Sequence, residues 1–163
     1  MPVEQICQKA RQVGILSVID GAHAPGQIPL DLRSLQADFY IGNCHKWMLS
    51  PKGAGFFYAR PEVQDLIEPL IVSWGYQSRF SSPRESKFVD ALQWTGTKDP
   101  AAALSVPSAI EFMKKYHWDD VRLSCHNLLR DAMQRINQLT GLLPLYPLDN
   151  NFSDKWARYK YQS

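Results

Sequence analysis

The sequence predicts an α/β protein with a mixed or mostly parallel sheet. Two observations carry that expectation. A helix-period stripe near the N-terminus runs directly into a short β-branched segment, and two further short apolar runs follow at close spacing. Composition agrees: of 163 residues, 45% are hydrophobic and 21% charged, enough for one ordinary domain with a sizeable core.

Val3, Ile6, Cys7, Ala10 and Val13 recur at helical spacing, and Gly14 suits the position just past a helix end. Ile15 to Ile19 is short, β-branched and mostly apolar, as a strand buried on both faces should be, and Asp20-Gly21 closes it. Pro25, Gly26 and Pro29 predict a loop, followed by a short helical turn over Leu30 to Leu35. Phe39-Tyr40-Ile41 and Gly55 to Ala59 predict two more strands. Residues 61 to 100, with Gly75, Ser81-Ser82-Pro83 and scattered charges, read mostly as loop. Pro100 opens a helix carrying Leu104, Val106, Ala109, Ile110 and Met113, with Pro107 tolerated near its first turn. A longer helix sets Trp118, Val121, Cys125, Leu128, Leu129, Ala132, Ile136 and Leu139 on one stripe and ends at Gly141. That stripe is expected to pack, not to form a site.

Several function classes drop out. The formal net charge is +2 and no basic run is dense enough for a nucleic-acid arm; Lys114-Lys115 reads as the polar side of a helix. No apolar segment has the length of a membrane span, and MPVEQICQKARQ lacks the apolar core of a secretory signal. Three cysteines without a CxxC spacing predict reduced thiols and a cytoplasmic location.

The chemistry gathers at strand ends, where open α/β sheets bind ligands. Asp20 ends one apolar run and Asn43-Cys44-His45-Lys46 follows another. If those strands are neighbours, Asp20, His23, His45 and Lys46 converge on one cleft. A carboxylate and a lysine facing one cleft suit pyridoxal 5′-phosphate: the lysine forms its Schiff base, and the carboxylate keeps its ring nitrogen protonated. A lysine held between buried strands also gains nucleophilicity from partial desolvation. Blander readings stand beside this one. Asp20 also suits a turn, His23 a polar loop group, Lys46 a solvated surface lysine, and Gly96-Thr97 a plain helix entry. A metal site at Asp20, His23, Cys44 and His45 matches no standard zinc spacing.

The stretch VIDGAHAPGQIPLDLRSLQADFYIGNCHKWMLSPKGAGFFYAR closely resembles the class V aminotransferase family of fold-type I pyridoxal-phosphate enzymes, most of all its isopenicillin-N-epimerase-like branch. QWTGTKDPAAALSVPSAIEFM, residues 93 to 113, resembles a later motif of the same family, and the resemblance runs from residue 2 to about residue 147. It implies that Lys46 is the Schiff-base lysine and later the acid/base that moves the α-proton, and that Asp20 pairs with the pyridinium nitrogen. His23 would lie by the cofactor's phenolic oxygen. His45 and Asn43 would help hold the phosphate, with Asn43 departing from the serine common in desulfurases. Thr97, with Gly96, would reach a phosphate across a dimer interface.

The resemblance further implies that residues 1–115 are the C-terminal part of a large cofactor-binding domain. Residues 116–147 would be a long helix leading toward a small domain, and residues 148–163 a divergent tail. The phosphate-cradling loop and the substrate-clamping arginine of such enzymes have no counterpart here, so the chain reads as a fragment or truncated product. The implied function is a pyridoxal-phosphate enzyme acting on a small amino acid by epimerase, lyase or transaminase chemistry, a homodimer in full-length form. Desulfurase chemistry ranks lower, because Cys7 and Cys125 lie on helix stripes and Cys44 beside the lysine. The alternative is an inactive remnant serving as a dimerisation or interaction module.

Overall fold

The computed structural model describes residues 2–76 and 86–144. Helix α1, Val3–Gln12, carries Glu4 in its first turn and Lys9 and Arg11 in its last, which complements the helix dipole. Gly14, at φ +72°, turns the chain out of it. Strand β1, Val18–Asp20, leads to α2, Leu32–Leu35, whose start is capped by Asp31 Oδ1 accepting from the Arg33 and Ser34 amides. Strands β2, Phe39–Asn43, and β3, Gly55–Ala59, follow, then a 3-10 turn over Pro61–Leu66. Helices α3, Lys87–Gln93, α4, Ala101–Leu104, α5, Val106–Lys115, and α6, Trp118–Thr140, complete the order.

The sheet is three-stranded in the order β1-β2-β3, with β1 parallel to β2 and β3 antiparallel to it. This is the mixed sheet of an α/β protein. Asp20 pairs with Ile41, so β2 runs on to Asn43 beside the loop that leaves β1. The carboxyl ends of both parallel strands therefore open on the same edge. On one face Cys7 of α1, Leu35 of α2, Ala37 and Tyr40 form a buried cluster, joined by Ile19, Phe56 and Tyr58. On the other, Phe39, Ala59 and Val63 pack with Ile67 and Phe88. No described helix is long and apolar enough to cross a membrane.

Several elements differ from expectation. β1 starts at Val18, not Ile15, and Val18 is 64% exposed, because β1 pairs with β2 on one side only among the described residues. Residues 61 to 100 hold two short elements within what is otherwise loop among the described residues: Pro61 starts the 3-10 turn, and Ser86 Oγ accepts from the Val89 amide to start α3. Ser81-Ser82-Pro83 and the 148–163 tail lie outside the described residues. The helix expected from Pro100 is two, α4 and α5, parted at Ser105. The α6 stripe is mostly exposed, with Leu128 at 71% and Leu139 at 87%, whereas Met133 is buried. Its reason is local: among the described residues α6 has its main packing partner in α5, where Trp118 lies edge-on to Phe112.

Asp38 ties the sheet together. Its Oδ2 accepts from the Ser17 amide at 2.8 Å and hydroxyl at 3.0 Å, and its Oδ1 accepts from Arg60 Nη2 at 2.6 Å. Burial alone would raise this carboxyl, but the Ser17 amide, the Arg60 guanidinium and the Ser17 hydroxyl together hold it below its usual range. A depressed carboxyl stabilises the fold above its unfolded value and loses that contribution as pH falls through the folded one. Asp38→Ala should lower stability at pH 7 by about 3 kcal/mol, since it strands the Ser17 amide and leaves Arg60 unpaired at Asp38. Urea midpoints should also show that the mutant lacks the part of the wild-type stability that disappears below about pH 4. Equal midpoints for the two proteins at pH 7 would refute this role.

Candidate active site at the ends of β1 and β2

The Lys46 loop is held at both ends by backbone. Ala54 O accepts from the Cys44 and His45 amides at 3.1 and 3.2 Å, and Cys44 O accepts from the Ser50 amide at 3.1 Å. A turn inside it closes through the Leu49 amide on Lys46 O, with Leu49 at φ +62°. The ring of His45 joins the same anchor: its Nδ1 donates to Ala54 O at 2.6 Å, leaving Nε2 as the other ring nitrogen.

The loop after β1 is pressed against that turn. The Gly21 amide donates to Ile41 O, and a Cβ at Gly21 would overlap the Tyr40 hydroxyl. Gly26 has φ +79°, and a Cβ there would overlap the Trp47 carbonyl. Both glycines are thus required by close approach. Asp20 Oδ1 accepts from the Ala22 amide at 3.0 Å, an Asx-type turn that sets the loop's exit.

These two loops bring His23 to Lys46. Nζ of Lys46 stands 3.2 Å from Nε2 of His23, and the indole N–H of Trp47 donates to His23 Nδ1 at 3.2 Å. Lys46 is half-buried, with its Nζ against the His23 loop. Asp20 is exposed at the root of the same loop. Burial, and then the charge of Asp20, push the Tyr40 phenol up. Asn43, half-buried at the end of β2, faces Gly55, where a Cβ would lie 3.3 Å from its Oδ1.

Two of the expected residues stand apart. Gly96 and Thr97 are exposed in the connection between α3 and α4, with open space around Gly96. Asp99, from the same motif, accepts from the Ala101 amide at 2.8 Å and starts α4. The thiols of Cys7 and Cys44 are buried and burial raises both, so neither is an activated nucleophile. Among the described residues no group of three His, Cys, Asp or Glu side chains stands together as a metal site.

Two tryptophans were not foreseen as part of the site. Trp47 was legible only as an apolar neighbour of the lysine. Trp118 Nε1 donates to Gly26 O at 2.9 Å, across 92 residues of sequence, and no local pattern marks such a contact.

Comparison with known proteins agrees with the sequence pattern. The family model described as aminotransferase class-V matches residues 1–151. An isopenicillin N epimerase from Amycolatopsis lactamdurans is 33% identical over 167 residues, covering 98% of this chain and 42% of that protein. A hercynylcysteine sulfoxide lyase from Schizosaccharomyces pombe is 32% identical over 155 residues, 90% of this chain and 39% of that one. An apo cysteine desulfurase from Thermococcus onnurineus NA1 superposes with a TM-score of 0.69 at 24% identity, over 84% of this chain and 34% of the other; that likeness concerns the fold. The chain thus spans less than half the length of these relatives.

Proposed function

The chain belongs to the class V aminotransferase family, whose cofactor is pyridoxal 5′-phosphate, and from that premise we propose that it carries the lysine half of a site that activates the α-carbon of a small amino acid. The observation that carries this reading is the pairing of Lys46 with His23 at 3.2 Å, beside Asp20 on the adjoining parallel strand.

The donor set fits the cofactor. Lys46 offers an amine for its aldehyde carbon, Asp20 a carboxylate for its ring N–H, and His23 an imidazole for its phenolic oxygen. Asn43 and Nε2 of His45 remain for the phosphate. When bound, the cofactor draws electrons from the substrate's α-carbon and so acidifies the α-proton. The side chains supply the rest. Lys46 tethers the cofactor, then carries the α-proton as acid and base. The second oxygen of Asp20 is left by the Ala22 amide to hold a positive charge. The Ala54 carbonyl stops the His45 ring from turning.

The relatives' names favour epimerase- or lyase-type chemistry, which is the reading we adopt over transamination. With it come a cytoplasmic location and a homodimer in which Gly96 and Thr97 reach the partner's phosphate. A second reading, an inactive module that binds a partner, draws on the exposed apolar stripe of α6. Cofactor addition, borohydride reduction and peptide mapping separate the two. Label on Lys46 is the expected result. Label on Lys52 or another lysine would overturn the assignment, and no label at all would favour the inactive module.

A further inference from the structure

Trp47 bears on the protonation state of Lys46, given the site read above. An indole N–H can only donate, and it meets His23 at Nδ1, 3.2 Å away. Nδ1 must therefore present its lone pair. A neutral imidazole then carries its single proton on Nε2. Nε2 stands 3.2 Å from Lys46 Nζ. With hydrogen on Nε2, an ammonium at Lys46 would set hydrogen against hydrogen, and the contact is a hydrogen bond only when Nζ accepts. Accepting requires the free amine. The opposite arrangement, an ammonium donating into Nε2, needs the ring proton on Nδ1, where it would meet the indole N–H.

We propose that Trp47 is a positioning residue that fixes His23 as its Nε2–H tautomer and thereby favours the amine of Lys46 over its ammonium, the form that meets the cofactor's aldehyde. The same Nε2–H is the donor a phenolic oxygen needs once the amine is engaged, so one tautomer serves both states. The frame is stiff where this matters. Gly26 lets the His23 loop lie on the Trp47 backbone, and Trp118 holds Gly26 from the far side. Of the other ionisable groups, Asp20 lies at the root of the loop and His45 next in the chain, while Lys114, His117, Asp119 and Arg122 line the hollow beside Gly26 and Met48. Arg122 is paired with Asp119, and His45 with Ala54 O. Among the described residues, Nζ of Lys46 is hydrogen-bonded to His23 and to none of these.

Competitive acetylation of the cofactor-free protein tests this, read by mass spectrometry as the rate at Lys46 relative to exposed Lys52 between pH 6 and pH 10. Lys46 should react roughly tenfold faster than Lys52 at pH 7, the change expected when the free amine gains about 1.4 kcal/mol over the ammonium. Trp47→Phe keeps an aromatic ring and removes the N–H; the ratio should fall to about one, and the Lys46 profile should move to higher pH. His23→Ala should do the same and decides the matter if the phenylalanine variant folds poorly. A loss of packing alone would raise the exposure of Lys46 without moving its pH profile. Ratios and profiles unchanged in both variants would overturn the proposal. Because no cofactor is present, this result is independent of where borohydride places the cofactor, so a failure here and a failure of the functional reading are distinct.

Discussion

Asp20→Ala is expected to keep cofactor uptake at Lys46 while turnover falls by a factor on the order of a hundred to a thousand, the usual cost of removing one charge stabiliser from an active site. The reason lies in what Asp20 can and cannot do. It sits at the end of β1 with Oδ1 engaged by the Ala22 amide, so its geometry is set before any ligand arrives. In the proposed site it would meet the cofactor's ring nitrogen and not its aldehyde carbon, so its loss should leave the tether intact. It is instead the anionic side chain at the carboxyl end of the parallel pair, aligned with Ile41 in the register. Without it a protonated ring nitrogen would lose its counter-charge, and charge developing at the α-carbon would be less stabilised. Exchange of the α-proton into deuterated water, followed across a panel of amino acids on cofactor-loaded protein, reads this step without presuming the final product. Exchange at the wild-type rate would show that Asp20 is not the partner of the ring. Asp20→Glu, which keeps the charge on a longer arm, should fall between the two.

What could be read in advance follows the range of the interactions involved. β2, β3 and the turn between them were legible because apolar runs stop at glycines and the polar Asn43-Cys44-His45-Lys46 cluster interrupts them. Gly14 and Gly141 marked helix ends, since a left-handed residue there is a local requirement. α3 was hidden because its cap, Ser86, lies among charges that resemble loop. The burial of β1 and of the α6 stripe was misjudged for a different reason. A pattern of Val, Ile and Leu states which side wants cover, but not whether a strand or helix supplies it.

The site divides along the same line. Asp20, His23 and Lys46 stood out as residue types at strand ends, and the parallel pairing of β1 with β2 brings their loops together. The fixed direction of the His45 ring, the Trp47 contact and the reach of Trp118 to Gly26 depend on side-chain angles and on distant chain segments. Composition and spacing carry no record of those.

Lys46→Ala should have the largest effect of any single substitution. On the function proposed above, two roles would end together: the tether to the cofactor and the acid/base at the α-carbon. Proton transfer alone is worth about a hundredfold to ten-thousandfold, and the tethering role adds to it, so turnover should drop by at least about ten-thousandfold. The borohydride label should vanish from the peptide spanning residues 44 to 50 without moving to Lys52, which is exposed on the same loop and has no His23 beside it. Stability should barely change, because among the described residues Nζ is hydrogen-bonded to the exposed His23 alone, and the loop is anchored at Ala54 and Cys44 without the Lys46 side chain. The two roles can be separated by chemistry. A small primary amine added to the mutant should restore part of the α-proton exchange, in proportion to its basicity and its fit, since it supplies the base but not the tether. Rescue would assign the proton transfer to the missing amine. Full exchange without any added amine would mean that another group carries the proton, and that Lys46 is not the residue on which this site turns.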